Sequence, residues 1–210
     1  MDKTLNVVRS ELILGGQRSG KSRRAELLAR EWLAMSPVHH SVLIATARSG
    51  DDEMRARIAR HRIDRTQRVP GMRTMEEPLK LAEAIQRHSG ADTLVVVDCL
   101  TLWLTNWLMP AGTETSRFGE PNQTSDLANN AQTAMLLEAI SDAYGPIVLV
   151  SNEIGLGVIP MGAEVRDFVD TLGRLNQGVA QVCQRVTLMA AGLPLTRKSL
   201  SGQGGTWARC

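Results

Sequence analysis

"GGQRSGKSRRAE", residues 15–26, decides how this chain is read. It follows the apolar "ELIL" (11–14) and leads into the helix-like "RRAELLAREWLA" (23–34). Gly15, four residues, then Gly20, Lys21 and Ser22 is a full phosphate-loop spacing. Glycines let the backbone bend so that successive N–H groups converge on phosphate oxygens. A helix starting near Lys21 aims the positive end of its dipole at the same place. Lys21 can reach β- and γ-phosphates, and the Ser22 hydroxyl can ligate Mg²⁺. The alternative is a glycine-rich strand-to-helix turn with a solvated lysine, and the strand before and helix after argue against it. The expectation is a loop that holds a nucleoside triphosphate.

Composition bounds the rest. A chain of 210 residues suits one α/β domain with a full core and is too short for two large ones. The expectation is a single phosphate-loop domain over 1–210, with 1–10 and 199–210 loosely held. Aromatics at 3% leave little material for stacking bases, and a formal charge of +2 gives no electrostatic grip on a polyanion, so no nucleic-acid partner is expected. Cys99, Cys183 and Cys210 are widely spaced and form no CxxC pair, which suits a reducing compartment and offers no zinc site. "MDKTLNVVRSE" carries charge on both sides of a short apolar run, unlike a secretory signal. No apolar run approaches the roughly 20 residues of a membrane span. A soluble, cytoplasmic protein without a membrane span is expected.

Short β-branched runs alternate with helical segments, the pattern of a parallel sheet covered on both faces. Expected strands are 11–14, 41–46, 93–97, 147–150 and 185–190, and expected helices are 21–35, 51–65, 78–88, about 126–143, and 165–184. The polar stretch "PAGTETSRFGEPNQTSD" (110–126) reads as a surface loop or, alternatively, a lid.

Three further places carry chemistry. "TLVVVDCLTLW" sets Asp98 after an apolar strand, where a phosphate-loop protein keeps the carboxylate that holds Mg²⁺; a strand-end aspartate capping the next turn is the bland alternative. "PIVLVSNEIGLGVIP" delivers Asn152 and Glu153 at the carboxyl end of a strand, the edge where ligands bind in open α/β sheets, and capping explains them equally well. In "DDEMRARIARHRIDR" (51–65), Met54, Ile58 and His61 share one helical stripe, with Arg57 and Arg65 one turn to either side of His61 and Arg60 and Arg62 beside it. This is either a solvated amphipathic helix with an incidental histidine or an anion-binding helix around a nucleophilic imidazole. In the second case the guanidinium groups disfavour imidazolium, keep the ring nucleophilic, and shield charge on a phosphorus under attack. Histidine has precedent as a covalent nucleophile.

Taken in order, "GGQRSGKS", "IATA", "DDEMRARIARHRIDR", "MRTMEEP", "VVDCLTLWLTN", "VSNEIGLGVIP", "GRLNQ" and "AAGLPLTRK" resemble the bifunctional adenosylcobinamide kinase / adenosylcobinamide-phosphate guanylyltransferase family of cobalamin biosynthesis. The resemblance covers roughly residues 11 to 198; the residues after Pro160 and the length of the 110–126 loop depart from the family pattern. It implies a RecA-like phosphate-loop fold, a mostly parallel sheet with helices on both faces, assembled as a homotrimer. It implies that ATP or GTP phosphorylates adenosylcobinamide. GMP then passes from GTP to His61 with release of pyrophosphate, and on to adenosylcobinamide phosphate, giving adenosylcobinamide-GDP. His61 and Lys21 take the catalytic roles. Nucleotide contacts are implied at Gly15, Gly16, Gln17, Arg18, Ser19, Gly20, Lys21 and Ser22, and at Thr46, Ala47 and Arg48. They are further implied at Arg62, Ile63, Asp64, Arg65, Glu76 and Asp98, with Mg²⁺ at Ser22 and Asp98. Two other readings remain: a plain phosphate-loop small-molecule kinase, which forms no covalent adduct, and a nucleotide-dependent switch acting on a protein partner.

Overall fold

A computed structural model describes residues 5–48, 63, 65–109 and 123–199. The elements in chain order are β1 (Ser10–Gly15), α1 (Lys21–Met35), β2 (His40–Ala45), β3 (Met72–Glu76), α2 (Leu81–His88), β4 (Thr93–Asp98), α3 (Leu100–Leu108), α4 (Gln123–Ser141), β5 (Ile147–Val150), α5 (Ala163–Val182), β6 (Arg185–Ala190) and β7 (Leu193–Ser199). The strands form one sheet in the order β3-β2-β4-β5-β1-β6-β7. Every neighbouring pair is parallel except β6 and β7. This is the mostly parallel α/β arrangement expected from the alternating pattern.

The apolar strand runs are explained by burial on both sides. Leu12, Ile44, Val95, Val97 and Leu149 face one core, which α2, α3, α4 and α5 cover. Their alternates Ile13, Leu43, Leu94, Val96, Val148 and Val150 face a second core with Ala25, Leu28 and Ala29 of α1 and with Val69. Period-2 side-chain alternation thus feeds two cores from one strand.

Three elements escaped the sequence reading, each for a physical reason. β3 is an edge strand with no fully buried residue, so "MRTME" shows no apolar run. Helix α3 is apolar nearly all round and lacks the polar face that announces a surface helix. β7 returns antiparallel through Ala191 and Gly192, both at positive φ (50° and 80°), the geometry of a two-residue hairpin without the usual Asn-Gly signal.

Helix bounds shift where caps intervene. The helix expected over 78–88 starts at Leu81, because the Glu77 carboxylate accepts from Leu79 N (3.1 Å) and Lys80 N (2.9 Å) and holds the chain in a turn first. The stretch 110–122 and most of the 51–65 helix lie outside the described residues. The helical turn at 65–68 extends three residues beyond the expected end.

Beneath the phosphate loop, Glu11 of β1 is completely buried. Its carboxylate accepts from Arg24 Nε of α1 (2.9 Å) and from Arg185 Nε (2.8 Å) and Thr187 Oγ1 (2.7 Å) of β6. One buried anion therefore ties β1, β6 and α1 together. Arg9, in the terminal stretch expected to be loose, donates to the carbonyls of Ser141 (3.0 Å) and Ala143 (3.2 Å). Replacing one member of a buried ion cluster strands its partners. Glu11→Ala is therefore expected to lower unfolding stability by about 3–5 kcal/mol, measured by urea denaturation; a change under about 1 kcal/mol would show that the cluster does not hold the sheet together.

Candidate active site

Register places the candidate residues along one edge of the sheet. Ala45 of β2 pairs with Glu76 on one side and Asp98 on the other, Asp98 pairs with Val150, and Val150 pairs with Ile13. Parallel strands all end at this carboxyl edge, roughly 5 Å apart. The phosphate loop, Thr46–Arg48, Glu76, Asp98 and the 151–153 turn therefore share one rim.

Within the loop, Gly15 has φ 149°, Gly20 has φ 101° and Arg18 has φ 58°. Ser19 N donates to Gly16 O (3.3 Å), and Gly192 N from the β6–β7 turn donates to Ser19 O (2.9 Å). Gly16, Gln17 and Arg18 are exposed at the crest, whereas Ser19 is buried and its Oγ has no hydrogen-bond partner among the described residues. Lys21, the first residue of α1, is buried, and its Nζ donates to Gly15 O (2.8 Å) and Gly16 O (2.7 Å). The ammonium thus lies over the loop with one of its three donors left. Burial pulls its pKa below the ordinary lysine value, while the neighbouring Cys99 and Asp98 act in the opposite direction. Ser22 follows, half-buried in the first turn of α1.

Thr46 is placed at the rim but uses its polar atoms within the fold. Its Oγ1 donates to Cys99 O (2.7 Å) and accepts from Cys99 N (2.9 Å), and its N donates to Asp98 O (3.2 Å). Its carbonyl accepts from Asn106 Nδ2 (2.7 Å), which also donates to Pro78 O (3.1 Å). Asn106 joins the chain after β2 to the chain after β3. A lone amide among the Leu, Trp and Thr residues of "LTLWLTNWL" was the one sequence signal for it, and nothing in that pattern named its partners. Ala47 and Arg48 are half-buried beyond Thr46, and Glu76 is exposed at the end of β3.

Asn152 N donates to Thr101 Oγ1 (2.9 Å) and Asn152 O accepts from Asn176 Nδ2 (3.0 Å), so this turn is pinned from α3 and α5. Glu153 N donates to Gly15 O (3.1 Å), while its side chain accepts from Gly155 N (2.9 Å) and shapes the turn. The chain then exposes Leu156, Val158, Ile159 and Met161 beside the rim. Among the other expected residues, Ile63 is exposed and Arg65 approaches Glu26 of α1 (3.7 Å). His61, Arg62 and Asp64 lie outside the described residues.

Among the described residues no cluster of three or more His, Cys, Asp or Glu could hold a metal by itself. Ser22 and Asp98, the two residues expected to meet Mg²⁺, are both half-buried, one at the start of α1 and the other at the end of β4. Cys99 is buried beside Asp98, and burial first, then that carboxylate, pushes its thiol up to about 11. No helix among the described residues is long and apolar enough to cross a membrane.

Residues 11–197 match the family model described as cobinamide kinase / cobinamide phosphate guanyltransferase. The bifunctional adenosylcobalamin biosynthesis protein CobP of Pseudomonas aeruginosa is 46% identical over 90% of this chain and 96% of its own length. The proteins named CobU in Escherichia coli and Salmonella typhimurium are 35% and 32% identical, each over 87% of this chain and 96% of theirs. A solved structure from Pyrococcus horikoshii OT3 superposes with a TM-score of 0.51 over 93% of this chain and 89% of that one, at 11% identity, and supports the fold alone.

Two outcomes follow from the rim's electrostatics. Lys21→Ala removes a charged donor that the neutral loop amides cannot replace, and is expected to weaken triphosphate binding about 10- to 100-fold, read by calorimetric titration with Mg²⁺-ATP; wild-type affinity would contradict the loop assignment. Cys99 should resist iodoacetamide through pH 9 in the native protein and react as pH rises toward about 11. Peptide mapping that finds Cys99 half-maximally reactive near pH 9 would contradict the buried, neutral thiol.

Proposed function

The chain belongs to the cobinamide kinase / cobinamide phosphate guanyltransferase family, and from that premise we propose that it works at two phosphorus centres in succession. It first transfers the γ-phosphoryl group of ATP or GTP to the hydroxyl of adenosylcobinamide. It next takes GMP from GTP onto His61, releasing pyrophosphate, and passes GMP to adenosylcobinamide phosphate. The product is adenosylcobinamide-GDP. The reading includes a homotrimer, which rests on the resemblance, and a cytoplasmic location, which rests on composition.

The observation that carries the reading is the buried Lys21 ammonium, held over the Gly15–Gly16 carbonyls and within electrostatic reach of Asp98. Phosphoryl transfer asks little covalent chemistry of the protein and much placement and charge compensation. Lys21 supplies a fixed positive charge, and the N-terminus of α1 adds its dipole. Ser22 and Asp98 would hold Mg²⁺, which supplies charge neutralisation between bound phosphates. Burial makes the Lys21 charge count for more than it would in water.

For the second activity the neutral imidazole of His61 attacks the α-phosphorus of GTP and pyrophosphate leaves. A phosphate oxygen of adenosylcobinamide phosphate then attacks the same phosphorus and the imidazole leaves. Splitting the exchange into two displacements suits a histidine flanked in sequence by Arg57, Arg60, Arg62 and Arg65, since nearby guanidinium groups disfavour imidazolium and would shield charge on the phosphorus. The exposed apolar loop containing Leu156, Val158, Ile159 and Met161 stands beside the rim and offers a wall for a large corrinoid.

His61→Ala separates the two steps. The variant is expected to keep adenosylcobinamide phosphorylation near the wild-type rate and to form no adenosylcobinamide-GDP, with both products followed by chromatography. Retained guanylyl transfer would remove His61 from the mechanism and favour a different nucleophile. Loss of both activities in a folded variant would contradict the separation of roles.

A further inference from the structure

We propose that Glu26 is a positioning residue for guanylyl transfer, tying the segment that carries His61 to the helix that carries Lys21. The proposal rests on the guanylyl-transfer reading above. Glu26 lies on α1, five residues after Lys21, and is buried. Its Oε2 accepts from Arg68 Nη1 at 2.7 Å, and its Oε1 stands 3.7 Å from Arg65 Nε. Both arginines lie on the helical turn 65–68, and Arg65 follows His61 by four residues in the sequence. One carboxylate on α1 thus grips the root of the histidine segment at two places.

Burial sets the meaning of this contact. Val69, whose N donates to Arg65 O (2.8 Å), already packs with Ala25, Leu28 and Ala29 against the sheet. Apolar packing therefore attaches the segment to α1 without needing a charge. Hydrophobic contact is non-directional, whereas carboxylate–guanidinium pairing fixes orientation. Arg68 is about half-exposed, where an ion pair adds little to stability. What the pairing contributes is a defined placement relative to Lys21, and a reacting group misplaced by about 1 Å can cost about a hundredfold in rate.

The test measures the rate of GMP adduct formation by intact mass in a quenched time course with Mg²⁺-GTP. It compares wild type, Glu26→Gln, Glu26→Ala, Arg68→Ala and the Glu26→Ala/Arg68→Ala double variant, with adenosylcobinamide phosphorylation followed in parallel. Glu26→Ala is expected to lower the ratio of adduct rate to phosphorylation rate about tenfold or more. The half-saturating GTP concentration should change by a smaller factor than the adduct rate, because the phosphate loop keeps its residues while Arg65 loses only its Glu26 neighbour. Glu26→Gln still accepts a hydrogen bond and should fall between wild type and Glu26→Ala. The double variant should be no slower than Glu26→Ala, the non-additivity of residues acting as a pair. If Glu26→Ala does not fold, Arg68→Ala carries the test, since half-exposed Arg68 can be truncated without opening the core. A wild-type adduct with unchanged maximal rate in both Glu26→Ala and Arg68→Ala would overturn this inference alone. No adduct on the wild-type protein would overturn the guanylyl-transfer reading and this inference with it.

Discussion

At Gly15 a Cβ would stand 2.5 Å from the Met189 carbonyl oxygen and 2.6 Å from Ser19 Oγ, so β1 can leave the sheet only where no side chain exists. Everything at the rim depends on that passage. Because β1 comes so close to β6, the Gly15 carbonyl is placed to accept from Lys21 Nζ and from Glu153 N together. Gly20, at φ 101° and with a Cβ position 3.2 Å from Gly192 Cα, closes the loop against the β6–β7 turn. Two close backbone approaches, one at each end of the loop, fix where the first turn of α1 begins. The helix dipole and the lysine then point to one place because the backbone leaves them no other.

The same helix is held by anions on two sides. Glu11 accepts from Arg24 beneath it, and Glu26 accepts from Arg68 beside it. Among the described helices, α1 packs its buried apolar face against the core opposite to the one that α2, α3, α4 and α5 cover. Directional ion pairs supply here what a crowd of neighbouring helices supplies on the other face. Buried carboxylates of this kind are costly unless paired, and Glu11 accepts from Arg24, Arg185 and Thr187.

How much of this was legible in the sequence follows from the range of each signal. "GGQRSGKS" is a local signal, since backbone bend, helix start and charge all arise within eight residues, and α1 begins and ends where the pattern put it. Buried strands such as Ile147–Val150 were legible because burial on both faces leaves an unbroken apolar run. Edge strands leave none, which is why β3 and β7 went unread. Longer-range partnerships were invisible: Glu11 read as a strand residue and gave no hint of Arg185, 174 positions away. Thr46 was read as a nucleotide contact, and the structure adds that its hydroxyl is spent on the Cys99 backbone. Asn106 carried a detectable anomaly, a buried amide in an apolar helix, but its carbonyl partners come from two other segments. A sequence names chemistry more readily than it names partners.

The proposed chemistry puts a covalent nucleotide on His61. It is tested most directly by incubating the wild-type protein with Mg²⁺-GTP, digesting at alkaline pH, and locating added GMP by tandem mass spectrometry. The account predicts a single modified peptide with GMP on His61, lost on brief acidification because protonation makes imidazole a better leaving group. GMP on another side chain, an acid-stable linkage, or no modified peptide at all would contradict it.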